Sequence, residues 1–392
     1  MLASCSRNNS LICGSVELLS SAAALKSLNS TFAVLLCAVL LAACSSDGES
    51  EQATGSVGWA VDSIPIVDIG DTSLEATPVL LYAADATRLS NGEIVVADAY
   101  APAVRYFAAD GHLIRTVGRR GNGPGEFSPV WWMGQCGADS VFVWEPRQQR
   151  MRVLDDQGTI VREFHWPVSP TFQSCSRDGV FLLQTPPAEM GPPSAKSPHY
   201  RSPIWIASSA GDTIRKLGDL PYAEVRPLGK ITQLAVSNSR LLVGTADSGY
   251  VDSYTLSGDS ALAIRVGNDG RAPSEANFDR ALDSWVAQFP NRADREKSKE
   301  LLRSMMSMPD RLPPYSDVLT DPDGNLWIVL SAPGDSATHI RAVDLSGKVR
   351  AEVMLPNDFT LFEVGRDYLL GRYEDPDSGA HHVALYRLNR AD

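Results

Sequence analysis

Four-strand units punctuated by Gly, Asp and Asn turns recur along this 392-residue chain, its last unit is one strand short, and a lone strand stands ahead of the first. These three observations predict an all-β fold, a six-bladed β-propeller closed by an N-terminal strand. Length alone would allow up to three domains, so the repeats decide.

The clearest unit lies between Ala83 and Gly118, where ATRL, the turn SNG, EIVVAD, a short gap, AVRYFA, the turn ADG and HLIRTVG follow one another. Four strands joined by hairpins make one blade. The pattern returns at GQCGADSVFVWE with RMRVLDDQGTIVREF, and at SCSRDGVFLLQT with PIWIASSAGDTIRKLG. It returns again at AVSNSRLLVGT with DSYTLSGDSALAIRVG, and at VLTDPDGNLWIVL with HIRAVDLSGKVRAEVML. The sixth unit holds only FEVGRDYLLGRY and HHVALYRLNR, three strands. A strand from Val61 to Ile69 supplies the fourth, ending at Gly70 as the outer strands of blades 1, 3 and 4 end at Gly118, Gly218 and Gly267. Joining the two ends of the chain removes a sheet edge that would template aggregation.

Two segments break the rhythm. Between blades 4 and 5, Phe278, Leu282, Trp285, Val286 and Phe289 share one helical face, with Ser274 as N-cap and Pro290 as the stop. Arg292 to Met308 reads as a second helix with Leu301, Leu302, Met305 and Met306 on its apolar side, so a helical insertion spans 274–311. Its methionines, Met305, Met306 and Met308, suit helix packing better than an adaptable binding surface. The other insertion, Thr185 to Pro203, is Pro-rich and irregular.

Ahead of the propeller, which spans 59–392, Lys26 precedes an apolar run from Phe32 to Ala43 that ends in Leu41–Cys44, LAAC. About 12 apolar residues are too few for a membrane span, which needs about 20, and the pattern is that of a secretory signal. LAAC resembles the bacterial lipobox, which implies diacylation of Cys44 and cleavage before it. Residues 1–43 are then a signal segment, whose first 24 residues do not look like a signal start and point to translation beginning near Leu25. Residues 44–58 form a polar Gly/Ser-rich tether. Ser45 after the lipidated cysteine points to the outer membrane, with the propeller facing the periplasm or the cell surface. The net charge is −12, and Arg7 and Lys26 against Glu17 leave the signal at +1, so the remainder carries −13. Such a surface repels phosphate backbones and excludes nucleic acid as a partner.

GRRGNGPGEF after blade 1, with VVAD and the ADG turn before it, resembles NHL-type repeats, and the chain from Trp59 onward resembles the TolB-like six-bladed propellers of bacterial lipoproteins. The resemblance implies a fold and leaves function open, because propellers host many unrelated activities.

No motif names a reaction. GRRGNGPGEF lacks the helix that a phosphate loop needs and reads as an inter-blade turn. DPDGN begins like a calcium loop, but Ala332 stands where the acidic twelfth ligand belongs. Adjacent His381 and His382 point to opposite faces of a strand, and His112, His165, His199 and His339 show no zinc spacing. Cys136 and Cys175 each stand five residues before a Val-Phe strand core in consecutive blades. That register and an oxidising compartment suggest an inter-blade disulfide. Equivalent blade positions point in the same rotational sense, however, and a bridge needs Cα atoms within about 7 Å; the sequence leaves the pair open.

In each blade the second-to-third connection and the link to the next blade emerge on one face. Both insertions therefore fall there, opposite a face of tight turns. The same face receives the candidate binding residues Asp98, Tyr100, Glu145, Arg147, Tyr250, Arg372, Tyr373 and Glu374. The expectation is a membrane-anchored, monomeric, non-catalytic binding module for a protein, peptide or glycan, lidded by the helical hairpin and touching membrane only through its lipid. No cofactor is expected, with Ca²⁺ left open. The alternatives are a metal-dependent hydrolase or lyase with its metal in the central funnel, and a structural component of an envelope complex.

Overall fold

The computed structural model describes residues 58–70, 79–137, 140–192, 194, 198–211, 213–237, 239–286, 292–375 and 379–390. Cys44, the signal segment and nearly all of the tether lie outside the described residues. Two short strands, β1 (Trp59–Val61) and β2 (Val67–Ile69), come first. Blade 1 is β3 (Ala83–Arg88), β4 (Ile94–Asp98), β5 (Ala103–Phe107) and β6 (Leu113–Val117); blade 2 is β7 (Trp132–Gln135), β8 (Val141–Glu145), β9 (Arg150–Leu154) and β10 (Ile160–Phe164). Blade 3 is β11 (Phe172–Cys175), β12 (Val180–Gln184), β13 (Arg201–Ser208) and β14 (Thr213–Pro221); blade 4 is β15 (Gln233–Val236), β16 (Arg240–Gly244), β17 (Tyr250–Thr255) and β18 (Ser260–Arg265). Two helices follow, α1 (Glu275–Val286) and α2 (Arg292–Met305). Blade 5 is β19 (Asp317–Thr320), β20 (Leu326–Val329), β21 (Thr338–Val343) and β22 (Val349–Leu355). Blade 6 takes β23 (Thr360–Val364), β24 (Tyr368–Glu374) and β25 (His381–Arg390), with β1 and β2 both pairing β25.

The six sheets are antiparallel, and their first strands touch in cyclic order: β3, β7, β11, β15, β19, β23 and back to β3. The chain is a six-bladed β-propeller. Strand composition follows position in the blade. Second strands such as IVVAD and VFVWE are buried at every residue, because a neighbouring blade covers each face. The outer strands LIRTV and IVREF have only exposed and half-buried positions. The core is accordingly a set of layers between blades. One joins Val95, Val104, Tyr106 and Phe127 to Met133 and Val143. Gly118 (φ 83°) makes the turn into that layer, since an added Cβ would meet the Phe127 ring at 2.1 Å.

Three details differ from the sequence expectations. The closing strand is two strands, because Pro65 between them has no N–H to donate to β25. Arg201 to Pro203 belong to β13 rather than to the Pro-rich insertion. In α2, Leu301 and Met305 face solvent, 42% and 59% exposed. Its packed side is instead Leu302 with Met306, and these meet Phe278, Leu282, Leu228 and Met308. Both stripes are apolar at helical spacing, and tertiary contact with α1 selects one of them.

Candidate functional site

Residues 271–312 leave the propeller and return at one point, where Leu312 N–H donates to the Arg271 carbonyl at 2.8 Å. Gly270 (φ 83°) is pressed against this stalk, for a Cβ there would lie 2.2 Å from the Leu312 carbonyl oxygen. Ser274 caps α1: Asn277 N–H donates to Ser274 Oγ at 3.2 Å, and the Asn277 side chain accepts from Ser274 N–H at 2.9 Å. Asn277 Nδ2 donates to the Pro333 carbonyl and to Asp335, both at 2.8 Å, which ties the start of α1 to blade 5. Arg280, one turn on, pairs with Asp358 at 2.9 Å and Glu374 at 3.5 Å, which ties it to blade 6. Burial works against the charged guanidinium, but Asp358 and Glu374 outweigh it and hold Arg280 above its ordinary value. Lys299 of α2 pairs with Asp283 of α1 at 2.5 Å.

Between this hairpin and blades 5, 6 and 1 lies a cavity of about 590 Å³. Four of the eight residues expected at the funnel mouth line it: Tyr100, Arg372, Tyr373 and Glu374. The hairpin adds Arg280, Asp283, Ser284, Arg295, Glu296 and Lys299. Propeller positions before inner strands or on the connections add Tyr82, Ser316, Ser331 and Asp358, and the start of β25 adds His381. Tyr250 is 41% exposed but outside the cavity, as is the exposed Arg147.

Asp98 and Glu145 do not reach the mouth; both are fully buried. Asp98 accepts from the backbone N–H groups of Leu81, Tyr82, Tyr100 and Ala101 and pairs with Arg105 at 2.5 Å. Glu145 accepts from Ser128 N–H at 2.7 Å and pairs with Arg150 at 3.0 Å and Arg152 at 3.3 Å. Each acid thus fastens the link that leads into its own blade. Burial lowers the Arg152 guanidinium from its ordinary value against the opposing pull of Glu145. Glu145→Ala is expected to cost about 3–5 kcal/mol, because it leaves buried Arg152 with only the part-exposed carboxylate of Glu163 as an ion-pair partner. Arg147→Ala, two residues away and exposed, should cost about 1 kcal/mol or less. Urea midpoints of the two variants measure this difference, and equal midpoints would contradict it.

At the blade 6 edge of the cavity the adjacent histidines take different roles. His382 Nδ1 lies 2.9 Å from Asp68 of β2, and the Tyr373 hydroxyl donates to the same carboxylate at 2.5 Å. Burial, reinforced by that carboxylate, pushes the Tyr373 phenol well above its ordinary value, so it stays a donor. His381 lies against the Tyr82 ring at 4.7 Å. Burial, with Arg372 and His382 nearby, pushes its imidazole down to about 3. An unfolded histidine takes its proton near 6.5, so between these values the unfolded chain binds the extra proton. The stability held by neutral His381 is fully present above about pH 6.5 and falls by about 1.4 kcal/mol per pH unit toward pH 3. Between pH 7 and pH 4, wild type should therefore lose stability relative to His381→Phe as pH falls. Parallel curves would contradict the assignment.

The opposite end of the central channel is crossed by an ion pair. Arg177, on the first hairpin of blade 3, lies 3.6 Å from Glu363 on the inner strand of blade 6, the blade across the ring. Glu363 also accepts from the hydroxyls of Thr87 and Tyr368. Among the described residues, no three His, Cys, Asp or Glu side chains converge as a metal site requires. Cys136 and Cys175 form a disulfide between blades 2 and 3, with Cα atoms 5.6 Å apart.

No family model matches this chain, and no curated protein matches it. Among solved structures, a protein described as exported, from Bacteroides fragilis, superposes with a TM-score of 0.51 at 11% identity, covering 86% of this chain and 98% of its own. A member of the DUF4221 family from Bacteroides vulgatus gives 0.49 at 10% identity, covering 85% and 99%. Virginiamycin B lyase from Staphylococcus aureus gives 0.41 at 12% identity, covering 84% and 99%. The likeness is of fold alone. Its reach over nearly the whole B. fragilis chain agrees with the ring read from the sheets.

Proposed function

We propose that this propeller is a non-catalytic binding module that takes its ligand in the cavity beneath the helical hairpin. The observation that carries the reading is the cavity itself. Its volume of about 590 Å³ falls inside the range of about 300–1,000 Å³ typical of small-molecule sites. It joins aromatic faces to charged groups from elements far apart in sequence. The far end of the channel is crossed by the Arg177–Glu363 pair, so the hairpin face is the side from which a ligand enters. In this reading the chain is a lipoprotein of the NHL-repeat, TolB-like type, held at the outer membrane through Cys44. LAAC and the polar tether support that anchor. Among the described residues no helix is long and apolar enough to cross a membrane.

Carboxyl footprinting tests the site. With a pooled peptide and glycan library bound, Asp283, Glu296, Asp358 and Glu374 should be shielded from carbodiimide. Asp110, Asp156 and Asp178, exposed on turns of the opposite face, should react as before. Shielding of that opposite face instead would overturn the reading.

A further inference from the structure

The cavity has two unlike walls. Toward blades 1 and 6 it is aromatic: the Tyr82 and Tyr100 rings lie 4.9 Å apart, and Phe359 and Tyr373 continue the lining. Trp131 meets Tyr100 edge-on at 6.4 Å and extends the cluster along the face. Tyr82 is nearly buried, with the Arg372 guanidinium over its ring at 4.5 Å, whereas Tyr100 is half-buried and offers part of its ring.

Toward the hairpin the wall is charged but compensated. Arg280 is held by Asp358 and Glu374, and Lys299 by Asp283. Arg372 is turned into the protein, donating to the Ala83 carbonyl at 2.5 Å. The remaining lining charges, Arg295 and Glu296, are opposite in sign, so the lining holds four cationic and four anionic side chains and offers an anion no net field. A carboxylate or phosphate that engaged Arg280 or Lys299 would compete with the carboxylates already paired to them. Paired groups still have spare N–H donors and carboxylate lone pairs, and a hydroxyl, being both donor and acceptor, uses both. Ser284, Ser316, Ser331 and Thr360 add neutral hydroxyls to the same lining. The arrangement asks for an uncharged ligand with an apolar face and a rim of hydroxyls. A pyranose ring has that form, with C–H bonds on one face and hydroxyls at the edge.

We propose that the cavity binds a neutral saccharide, stacked on Tyr100 and hydrogen-bonded to the compensated charges of the hairpin. This rests on the reading of the cavity as the binding site. Three probe sets, titrated calorimetrically against the full chain, test it: neutral oligosaccharides, uronate- or sialate-bearing oligosaccharides, and tripeptides. Neutral oligosaccharides should bind. Tyr100→Ala should weaken them about tenfold or more, the loss of one stacking contact, whereas Tyr100→Phe, which keeps the ring face, should stay within about threefold. Melting temperatures close to wild type confirm that both variants fold. Binding confined to charged glycans or to tripeptides, and lost in Tyr100→Ala, overturns the neutral-saccharide class and leaves the cavity reading intact. Saccharide binding indifferent to Tyr100 and to removal of the hairpin overturns both. No binding in any set overturns the saccharide proposal.

Discussion

Deleting Trp59–Ile69 is expected to lower stability by at least about 5 kcal/mol and to drive aggregation. Val67 and Ile69 are buried with Leu80, Phe362 and Leu370 between blades 6 and 1, and each such side chain contributes about 1.5–3 kcal/mol. Trp59 stacks on Trp327 of blade 5 at 6.1 Å beneath the Arg390 guanidinium. Asp68 accepts from Tyr373 and His382, so its deletion removes an acceptor from both. The long strand β25 would also become an open edge. Such a loss approaches the whole stability of an ordinary domain, about 5–15 kcal/mol. Melting curves and gel filtration read the outcome. A deleted chain that melts like wild type and stays monodisperse would refute closure by the N-terminal strands.

Breaking the Cys136–Cys175 bond should cost about 4 kcal/mol. The two residues are 39 apart in sequence, and a loop of that length loses chain entropy of this order when it is closed in the unfolded state. The bond staples the inner strands of blades 2 and 3 beside Gly134, where an added Cβ would meet the Trp132 ring at 2.8 Å. Cys136→Ser, or reduction of wild type, should lower the urea midpoint by the same amount, and reduction should leave the variant unchanged. Mass mapping of unreduced peptides that found both cysteines free would contradict the bond.

Blade order, blade number and the capped hairpin were legible because each depends on local pattern. IVVAD and VFVWE are continuous apolar runs, and Ser274 stands three residues before Asn277. The site was legible only in part. Position on the second strand places Tyr100, Tyr373 and Glu374 at the mouth, but it does not say which way a side chain turns. Asp98 and Glu145 turn inward because unpaired backbone N–H groups and an arginine await them there. A signal for this was present: Asp98 with Arg105 and Glu145 with Arg152 repeat the same seven-residue spacing in consecutive blades. Repetition of an acid–base pair at blade period marks a structural fastening, since a ligand site has no reason to recur. Asp358, Ser316 and Ser331 carried no such signal. They share the cavity with Arg280 only because the hairpin folds back across blades 5 and 6, and Asp358 pairs with Arg280 across 78 positions of sequence.

Removing the hairpin tests the central claim most directly. The insertion leaves and returns at Arg271 and Leu312, which are already hydrogen-bonded, so a short Gly/Ser bridge can replace Ser274–Arg311 without moving the blades. The account predicts that the shortened chain keeps its β circular dichroism and a cooperative melt, yet loses calorimetric binding of any ligand the full chain holds. Binding retained at unchanged affinity by a folded, hairpin-free chain would contradict it.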